Sequence, residues 1–503
     1  MLKTRQSGIL LHPTSLPGPE GLGTLGEEAY LFIDYLVSAG QSVWQILPLG
    51  PTGYGDCPYS SFSAFAGNPD LISLSQLVAV GDLDITDLPP HSPATERADF
   101  QACREVRTPL LSKAANRFLA DNHADSRRQK FAAFCVQQAG WLNDYAFYRA
   151  MRQAQSHKGW QYWPVAVRDR EDFALQEWGT RLKTEIFLEK YLQFVFFEQW
   201  FALKAYANRH GVQIFGDLPI FVALDSADVW ANRDLFQLDA QGRPQLVAGV
   251  PPDYFSATGQ LWGNPLYDWE RMAQNGYGWW KSRLQWNLEQ CDLIRIDHFR
   301  GFEACWAVPA SETTAINGTW QPGPGAAFFE RMQQGLGELS LIAEDLGIIT
   351  PAVEELRDRF NLPGMKILQF AFDSGPQNPY LPHQYSRNSV VYTGTHDNTT
   401  SLAWWHALDT CGKQRIRDYL DSGCREMPWP LIRCALASSA RLAIVPMQDL
   451  LKLGGAARMN QPGTATGNWN WRLTADQLEP DVAKRLKQLC ELFGRRPFLL
   501  KNR

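Results

Sequence analysis

The chain has 503 residues and a formal net charge of −5. Hydrophobic residues make up 45% and charged residues 20%, which is ordinary for a soluble globular protein. The sequence has no block of Lys and Arg, so it lacks the electrostatic footprint of a nucleic-acid-binding protein, and we expect no nucleic-acid partner. A chain of this length forms either several average domains or one large barrel with insertions.

The cysteines and the apolar segments predict the cellular compartment in which the protein acts. Nine cysteines, an odd number without a Cys-x-x-Cys pair, favour free thiols in a reducing environment. The first residues lack the apolar segment of a signal peptide, and no apolar run approaches transmembrane length. We therefore predict a cytoplasmic protein that does not act at a membrane.

No motif in the sequence predicts a cofactor or a metal ion. The segment 21–26 matches the pattern G-x-G-x-x-G, but no strand precedes it, and the next predicted strand carries no acidic residue. Both features are needed in a dinucleotide site. Walker, EF-hand and H-E-x-x-H patterns are also missing from the sequence. We expect neither a cofactor nor a metal.

Eight short apolar runs recur along the chain, and each ends in polar or turn residues. Stretches with helical periodicity, such as 351–359 and 412–421, separate most of these runs. Strands that alternate with helices form a parallel sheet, and eight repeats predict a closed (β/α)8 TIM barrel of the α/β class. The predicted strands are 8–12, 42–48, 212–217, 292–297, 340–344, 366–371, 389–393 and 442–446.

A plain (β/α)8 barrel needs roughly 250 residues, so about half of this chain must be insertions. We predict a single catalytic barrel over 1–503, with large, mainly helical insertions around its C-terminal face. The predicted insertions are 49–211, an aromatic loop with a helical subdomain; 220–291, with a lid-like loop at 247–256; and 454–471, a loop near the active site.

A basic residue and an acidic residue stand together at the end of the fourth predicted strand. Side chains alternate along a strand, so Arg295 and Asp297 lie on one face. A neighbouring guanidinium favours the ionised form of a carboxyl group. We therefore expect Asp297 to stay ionised, as a nucleophile requires, although a structural ion pair fits this stretch equally well.

Further acidic residues follow the other predicted strands. In (β/α)8 enzymes the active site lies at the carboxyl ends of the strands. Clustered carboxylates repel one another, so four acids at one rim argue against a purely structural role. The residues at this rim are Asp217, Arg295, Asp297, Glu344, His396 and Asp397.

Crowded carboxylates suit the chemistry of the glycosidic bond. A retaining mechanism needs one ionised acid to attack the anomeric carbon and one protonated acid to protonate the leaving oxygen. Asp297 fits the first role. Glu344 lies among other anions without an arginine two residues away, so its pKa should be raised, as the second role requires. Asp397 is better suited to hold sugar hydroxyls.

Five motifs taken together resemble the 4-α-glucanotransferases, also called amylomaltases or disproportionating enzymes. The resemblance extends from residue 10 to residue 472, essentially the whole chain, and the length is that of the compact bacterial members. Any single motif would be weaker, because relatives of α-amylase share the Arg-x-Asp and His-Asp elements. The motifs are RIDHFRG (295–301), IAEDLG (342–347), GTHDNT (394–399), GDLPIFV (216–222) and PPDYF (251–255).

The resemblance assigns roles to residues of this sequence. It implies Asp297 as nucleophile, Glu344 as general acid/base and Asp397 as transition-state stabiliser. It also implies that the loop with Asn468 affects only the details of substrate binding. The remaining implied substrate contacts are Asp217, Arg295 and His396 in the cleavage site, Tyr59 stacked on the same sugar, Gln260, Trp262 and Asp373 on the acceptor side, and Tyr254 and Phe255 as lid aromatics.

The implied reaction moves a segment of an α-1,4-glucan to the 4-hydroxyl of another glucan or of glucose. The implied partners are α-1,4-glucans and maltooligosaccharides of glycogen, starch or maltodextrin metabolism, acted on by a monomer or weak homo-oligomer. The same acids also fit a retaining α-glucan hydrolase of the amylase type, with water as acceptor. A carbohydrate-binding protein without turnover is a third interpretation, and the three intact acids argue against it.

Overall fold

The structure is a computed structural model that describes residues 4–89, 95–120, 125–252 and 256–495. Within these ranges the short apolar runs form strands, because β-branched and aromatic residues favour extended backbone between two packed layers. The strands are β1 Gln6–Leu10, β2 Val43–Gln45, β3 Gln213–Pro219, β4 Leu246–Val250, β5 Gln260–Pro265, β6 Leu293–Asp297, β7 Ala304–Pro309, β8 Thr319–Pro322, β9 Leu341–Ala343, β10 Gly364–Ile367, β11 Ser389–Tyr392 and β12 Leu442–Pro446.

Eight of these strands form one parallel sheet in the order β10-β11-β12-β1-β2-β3-β6-β9. The first and last strands of this order, β10 and β9, approach each other. The Ala343 N–H of β9 donates a hydrogen bond of 2.9 Å to the carbonyl oxygen of Pro363, the residue before β10. The sheet therefore curls into a barrel. This architecture confirms the predicted (β/α)8 fold.

Each barrel strand overlaps one predicted apolar run. The largest difference lies at β10, which was expected over 366–371 but ends at Ile367, where a 3-10 helix Leu368–Phe370 begins. Periodicity cannot distinguish a buried helical turn from a strand over so few residues. The turn directs the chain toward the mouth of the barrel at residues 369–373.

The helices fill the segments between the strands. They are α1 Glu27–Ser38, α2 Leu74–Ala79, α3 Phe100–Ala120, α4 Asp125–Gln137, α5 Ala139–Ala154, α6 Val165–Arg168, α7 Asp172–Arg181, α8 Lys183–Arg209, α9 Ala227–Ala231, α10 Trp269–Gln274, α11 Gly278–Gln290, α12 Gly325–Leu336, α13 Pro351–Arg359, α14 Ser401–Ala407, α15 Thr410–Leu420, α16 Trp429–Ala437, α17 Met447–Leu450 and α18 Pro480–Leu492. Within the described ranges, no helix has both the length and the apolar character to span a bilayer.

The segment between β2 and β3 carries seven of these helices, α2 to α8. The long helix α8 connects this region to the barrel, because the Phe197 ring lies 4.8 Å from the ring of Trp286 on α11. Trp286 is itself fixed, since its indole N–H donates to the carbonyl oxygen of Phe65 at 2.9 Å. Aromatic contacts of this kind bury a large apolar area and hold the two parts together.

A second, smaller sheet lies beside the mouth of the barrel. Its four strands are antiparallel in the order β5-β4-β7-β8. The register places Leu261 of β5, Gly249 of β4, Trp306 of β7 and Trp320 of β8 in one row. Directly opposite residues of an antiparallel sheet project from the same face. One face of this sheet therefore carries Leu261 and Trp320.

Candidate active site

The carboxyl ends of the barrel strands bring the predicted acids to one end of the barrel. Asp217 lies in β3, Asp297 is the last residue of β6, and Glu344 directly follows β9. The register of β3 with β6 pairs Asp217 with Arg295. His396 and Asp397 lie in the loop after β11. The barrel thus places residues that are distant in sequence at one rim.

Arg295 connects two of the carboxylates. Its Nη1 donates to both carboxylate oxygens of Asp217, at 2.8 and 2.7 Å, and its Nη2 lies 2.8 Å from Oδ1 of Asp297. The hydroxyl of Tyr59 donates to Oδ2 of Asp217 at 2.7 Å. The Asp217 side chain has no exposed surface, so it supports Arg295 and Tyr59 from beneath.

The protonation of Asp297 differs from the sequence-based expectation. Burial raises its pKa to about 8, and the nearby carboxylates of Asp217, Glu344 and Asp397 act in the same direction, against the opposing effect of Arg295. The prediction that Arg295 keeps the pKa of Asp297 low is therefore wrong. The physical reason is burial, to which the neighbouring carboxylates add, and together they outweigh the effect of Arg295 on the pKa.

Glu344 is held by the backbone. Its Oε2 accepts a hydrogen bond of 2.7 Å from the His298 N–H, and its Oε1 accepts one of 2.9 Å from the Leu346 N–H. His298 has left-handed backbone angles, φ 56° and ψ 50°, which turn its N–H toward Glu344 directly after Asp297. Burial raises the pKa of Glu344, with Arg295 and the two N–H groups opposing it. The two acids influence each other and titrate as a pair.

Asp397 is held by side chains of a distant loop. Its Oδ1 accepts a hydrogen bond of 2.6 Å from Nδ2 of Asn460, and its Oδ2 lies 3.3 Å from Nε2 of His396. Arg458 donates from Nη2 to the backbone carbonyl of Asp397 at 2.6 Å. Burial lowers the pKa of His396, so its imidazole is neutral near pH 7.

Aromatic rings form a wall next to these polar groups. The Tyr59 ring stacks on the His396 imidazole, with centroids 5.2 Å apart and an angle of 15° between the planes. The Trp469 ring lies 5.8 Å from Tyr59. Flat amphipathic rings of this kind suit contact with the C–H face of a sugar.

The residues expected on the acceptor side lie along β5 and in a loop after β10. Trp262 donates from its indole N–H to Oε1 of Gln260 at 3.2 Å, and its ring lies 4.8 Å from the His298 ring. Asp373 accepts a hydrogen bond of 2.9 Å from Asn378. The two predicted lid aromatics, Tyr254 and Phe255, lie outside the described residues.

Asn468 makes contacts within its own loop. Its Oδ1 accepts a hydrogen bond of 2.9 Å from the Gln461 N–H, and its Nδ2 donates to the carbonyl oxygen of Thr464 at 3.0 Å. These bonds shape the segment that also carries Asn460 and Trp469. The position of Asn468 at the cleft therefore depends on local loop geometry.

Most of these groups line one large cleft with a volume of about 2280 Å³. Asp217 is the one predicted site residue in the described ranges that does not line it, because Tyr59 and Arg295 cover it. The predicted residues that line the cleft are Tyr59, Gln260, Trp262, Arg295, Asp297, Glu344, Asp373, His396, Asp397 and Asn468.

Sequence reasoning missed three groups that shape the site. His298 stands inside the motif 295–301, so its backbone role could have been found there, whereas Arg458 and Asn460 carry no sequence signal. Within the described part of the chain, no cluster of three or more His, Cys, Asp or Glu side chains could hold a metal ion. The arrangement provides two coupled carboxyls beside a fixed cation, which suits acid/base and nucleophilic attack on a glycosidic bond.

Comparisons with known proteins agree with this chemistry. The family model described as 4-alpha-glucanotransferase matches residues 11–477. The chain is 52% identical over 501 residues to a 4-alpha-glucanotransferase of Synechocystis sp., covering 99% of both chains. It is 50% identical to a 4-alpha-glucanotransferase of Thermus thermophilus, over 97% of this chain and 98% of the relative.

A solved structure is also similar over the whole length. The amylomaltase of Streptococcus agalactiae in complex with acarbose superposes with a TM-score of 0.94 at 39% identity. The match covers 98% of this chain and 100% of the other. The barrel and its insertions are thus shared with that protein.

Proposed function

The chain belongs to the family of 4-alpha-glucanotransferases, and we propose that it transfers α-1,4-glucan segments by a retaining double displacement. The acceptor is the 4-hydroxyl of another glucan or of glucose, and the substrates are maltooligosaccharides and longer α-1,4-glucans. The observation that carries the proposal is the contact of Asp297 with Arg295 beside a Glu344 that two backbone N–H groups orient.

In the first step, the pair of acids reacts in the form in which Glu344 carries the proton and Asp297 is ionised. A carboxylate oxygen of Asp297 then attacks the anomeric carbon. The bond from this carbon to the glycosidic oxygen breaks, and the protonated Glu344 gives its proton to that oxygen, so the shortened glucan leaves with a free 4-hydroxyl. Arg295 holds one Asp297 oxygen in place at 2.8 Å. The product is a glycosyl ester on Asp297.

In the second step, Glu344 acts as a base. Its carboxylate takes the proton of the incoming 4-hydroxyl, the hydroxyl oxygen attacks the anomeric carbon, and the ester bond to Asp297 breaks. Two inversions at the same carbon keep the α configuration. The two backbone N–H groups at Glu344 hold the carboxyl group in one place during both steps.

Asp397 and His396 bind the ring hydroxyls of the sugar being transferred. Asp397 keeps 41% of its side chain exposed, and Asn460 fixes one of its oxygens. Hydrogen bonds that strengthen as the ring distorts stabilise the oxocarbenium-like transition state. The neutral imidazole of His396 can donate or accept such a bond at pH 7.

Transfer requires that a sugar hydroxyl, and not water, attacks the intermediate. Tyr59, Trp262 and Trp469 provide apolar surface around the acids, which supports exclusion of water and binding of a sugar acceptor. The bound acarbose in the Streptococcus agalactiae amylomaltase supports a carbohydrate as ligand of this cleft. The alternative is a retaining α-glucan hydrolase with the same acids.

Incubation with maltotriose alone separates the two reactions. We expect glucose together with a ladder of longer maltooligosaccharides. Each transfer breaks one α-1,4 bond and forms another, so the total of reducing ends should stay nearly constant while glucose rises. If reducing ends increase in step with glucose, the enzyme is a hydrolase and the proposed transfer is wrong.

A further inference from the structure

Trp320 is a large aromatic residue that the reaction described above does not use. It lies on strand β8, it lines the cleft, and 39% of its surface is exposed. Ile348 also lines the cleft and is 42% exposed. Large apolar side chains that stay exposed together at the wall of a cleft commonly mark a surface that a ligand covers.

The Trp320 ring is held in one position by the protein. The guanidinium of Arg300 lies 3.8 Å from the ring centroid. Arg300 is only 5% exposed and is fixed in turn, since its Nη1 donates to the carbonyl oxygen of Ile348 and its Nε donates to that of Ala304 at 3.4 Å. A pre-positioned ring loses little conformational entropy when a ligand binds.

These contacts attach the ring to both catalytic strands. Arg300 belongs to the 3-10 helix Phe299–Phe302, which follows Asp297 at the end of β6. Ile348 lies in the loop that follows Glu344 at the end of β9. Trp320 therefore has a defined position relative to the two acids.

Trp320 is also separate from the nearer acceptor contacts. Gln260 and Trp262 lie on β5, and Trp320 lies on β8, at opposite edges of the same four-stranded sheet. Three strand spacings correspond to roughly 14 Å, too far for one sugar ring to contact both edges. Leu261 and Trp320 share one row of this sheet and both line the cleft.

We propose that Trp320 and Ile348 form a remote acceptor subsite, which binds a glucose unit of a longer maltooligosaccharide acceptor beyond the units next to Trp262. This inference rests on the proposed transferase function. The indole ring contacts the C–H face of the sugar, and Ile348 extends the apolar surface. A single glucose bound next to the acids does not reach this position, so the subsite favours longer acceptors.

The test uses Trp320→Ala and Trp320→Phe with α-maltosyl fluoride as a fixed donor. The initial rate of the mass-resolved transfer product is measured with glucose and with maltopentaose as acceptors. Loss of one aromatic contact should raise the acceptor KM for maltopentaose about 5- to 20-fold in Trp320→Ala. The KM for glucose should stay within about twofold, and Trp320→Phe should lie between the parent and the alanine variant.

Trp178→Ala is the matched control. Trp178 is half-buried, its ring is covered by the Arg181 guanidinium at 4.5 Å, and it does not line the cleft. This variant should transfer to both acceptors as the parent does. Equal weakening of glucose and maltopentaose in Trp320→Ala, or no change with either, would overturn the subsite. If the parent transfers to neither acceptor, the proposed function itself is wrong.

Discussion

Two regions of the cleft hold their acids in different ways. The barrel floor consists of Asp217, Arg295, Asp297 and Glu344, at or next to the ends of neighbouring strands. The loop wall consists of His396, Asp397, Arg458 and Asn460, from two loops that follow β11 and β12. The Asp217 side chain has no exposed surface, whereas Asp397 keeps 41% of its side chain exposed.

The two regions therefore differ in what sets their geometry. In the floor, the backbone pairing of β3, β6 and β9 fixes which side chains are neighbours. One substitution there changes a charge but leaves the strand positions unchanged. In the wall, side-chain hydrogen bonds from Asn460 and Arg458 locate Asp397. We infer that substitutions in the floor remove chemical steps, whereas substitutions in the wall change how well the sugar is held.

The largest effect is expected at Asp297. Asp297→Asn cannot form the glycosyl ester, so the transfer rate should fall by about four or more orders of magnitude while the fold is retained. The measurement is the rate of glucose release from maltotriose, together with a circular dichroism spectrum.

The control for this variant is Asp228→Asn. Asp228 is a buried carboxyl outside the cleft that accepts a hydrogen bond of 2.7 Å from the Ala64 N–H, and it should retain most of the activity. Near-normal turnover by Asp297→Asn would assign the nucleophile to another residue.

The second effect concerns Glu344. Glu344→Gln cannot protonate a sugar leaving group, so turnover of maltotriose should fall by about three orders of magnitude. An α-glucosyl fluoride donor should still react, because fluoride leaves without a proton. Added azide should then yield the α-glucosyl azide. Recovery of the β-azide would contradict the double displacement, as would a carboxyl separation from Asp297 far from roughly 5–5.5 Å.

The third effect tests the wall at Asn460. Removing its hydrogen bond in Asn460→Ala should lower kcat about 10- to 100-fold, with a smaller change in KM, because the proposed role of Asp397 is to stabilise the transition state. Asn460→Asp should lower kcat at least as far, because it places a second carboxylate against Asp397 where the amide donates a hydrogen bond of 2.6 Å.

The comparison variant for this test is Asn388→Ala, a half-buried asparagine outside the cleft whose amide donates to Asn361. It should leave kcat and KM unchanged. An unchanged kcat in both Asn460 variants would show that Asn460 does not act through Asp397.

The smallest expected effect is a pH-dependent change in the free energy of unfolding. It arises because a buried carboxyl group of the barrel floor titrates, which an apolar core residue cannot do. The Asp297 pKa is raised to about 8, so between about pH 4 and pH 8 the folded state binds more protons than the unfolded state, and the stability contributed by this group falls as pH rises. Asp297→Asn should therefore gain about 1–3 kcal/mol over the parent at pH 8 and less at pH 5.

Denaturant unfolding at both pH values checks this prediction. In Asp228→Asn the difference from the parent should stop changing above about pH 6, because burial raises the pKa of Asp228 only to about 6. A constant difference between Asp297→Asn and the parent from pH 5 to pH 8 would contradict the raised pKa of Asp297.

Much of the fold and part of the site follow from local patterns. The sequence predicts strand β12 with the observed bounds, because a short apolar run that closes on a proline allows few interpretations. The positions of Asp297 and Glu344 at one rim follow from strand ends and from the parallel sheet. Their chemical roles remain predictions.

What could not be predicted depends on contacts across long sequence separations. Asn460 and Asp397 are 63 residues apart, and no local pattern connects an asparagine in a loop to an acid in another loop. The contact of Arg295 with Asp217 spans 78 residues. Burial of Asp297, together with the carboxylates that the fold packs around it, reversed the expected direction of its pKa. Trp320 was missed because an exposed tryptophan is recognised only when the shape of the cleft is known.

The pairing of β1 with β12 has a consequence for how the chain folds. These strands are adjacent in the barrel, with Gln6 opposite Leu442, although most of the sequence lies between them. Such distant pairing raises the contact order and slows folding, even though the entropy of closing a loop grows only slowly with its length. During synthesis, the edge of β1 that pairs with β12 therefore stays without its partner strand until residue 446 has been made. An unpaired strand edge is prone to aggregation, and chaperone binding in this period would protect it.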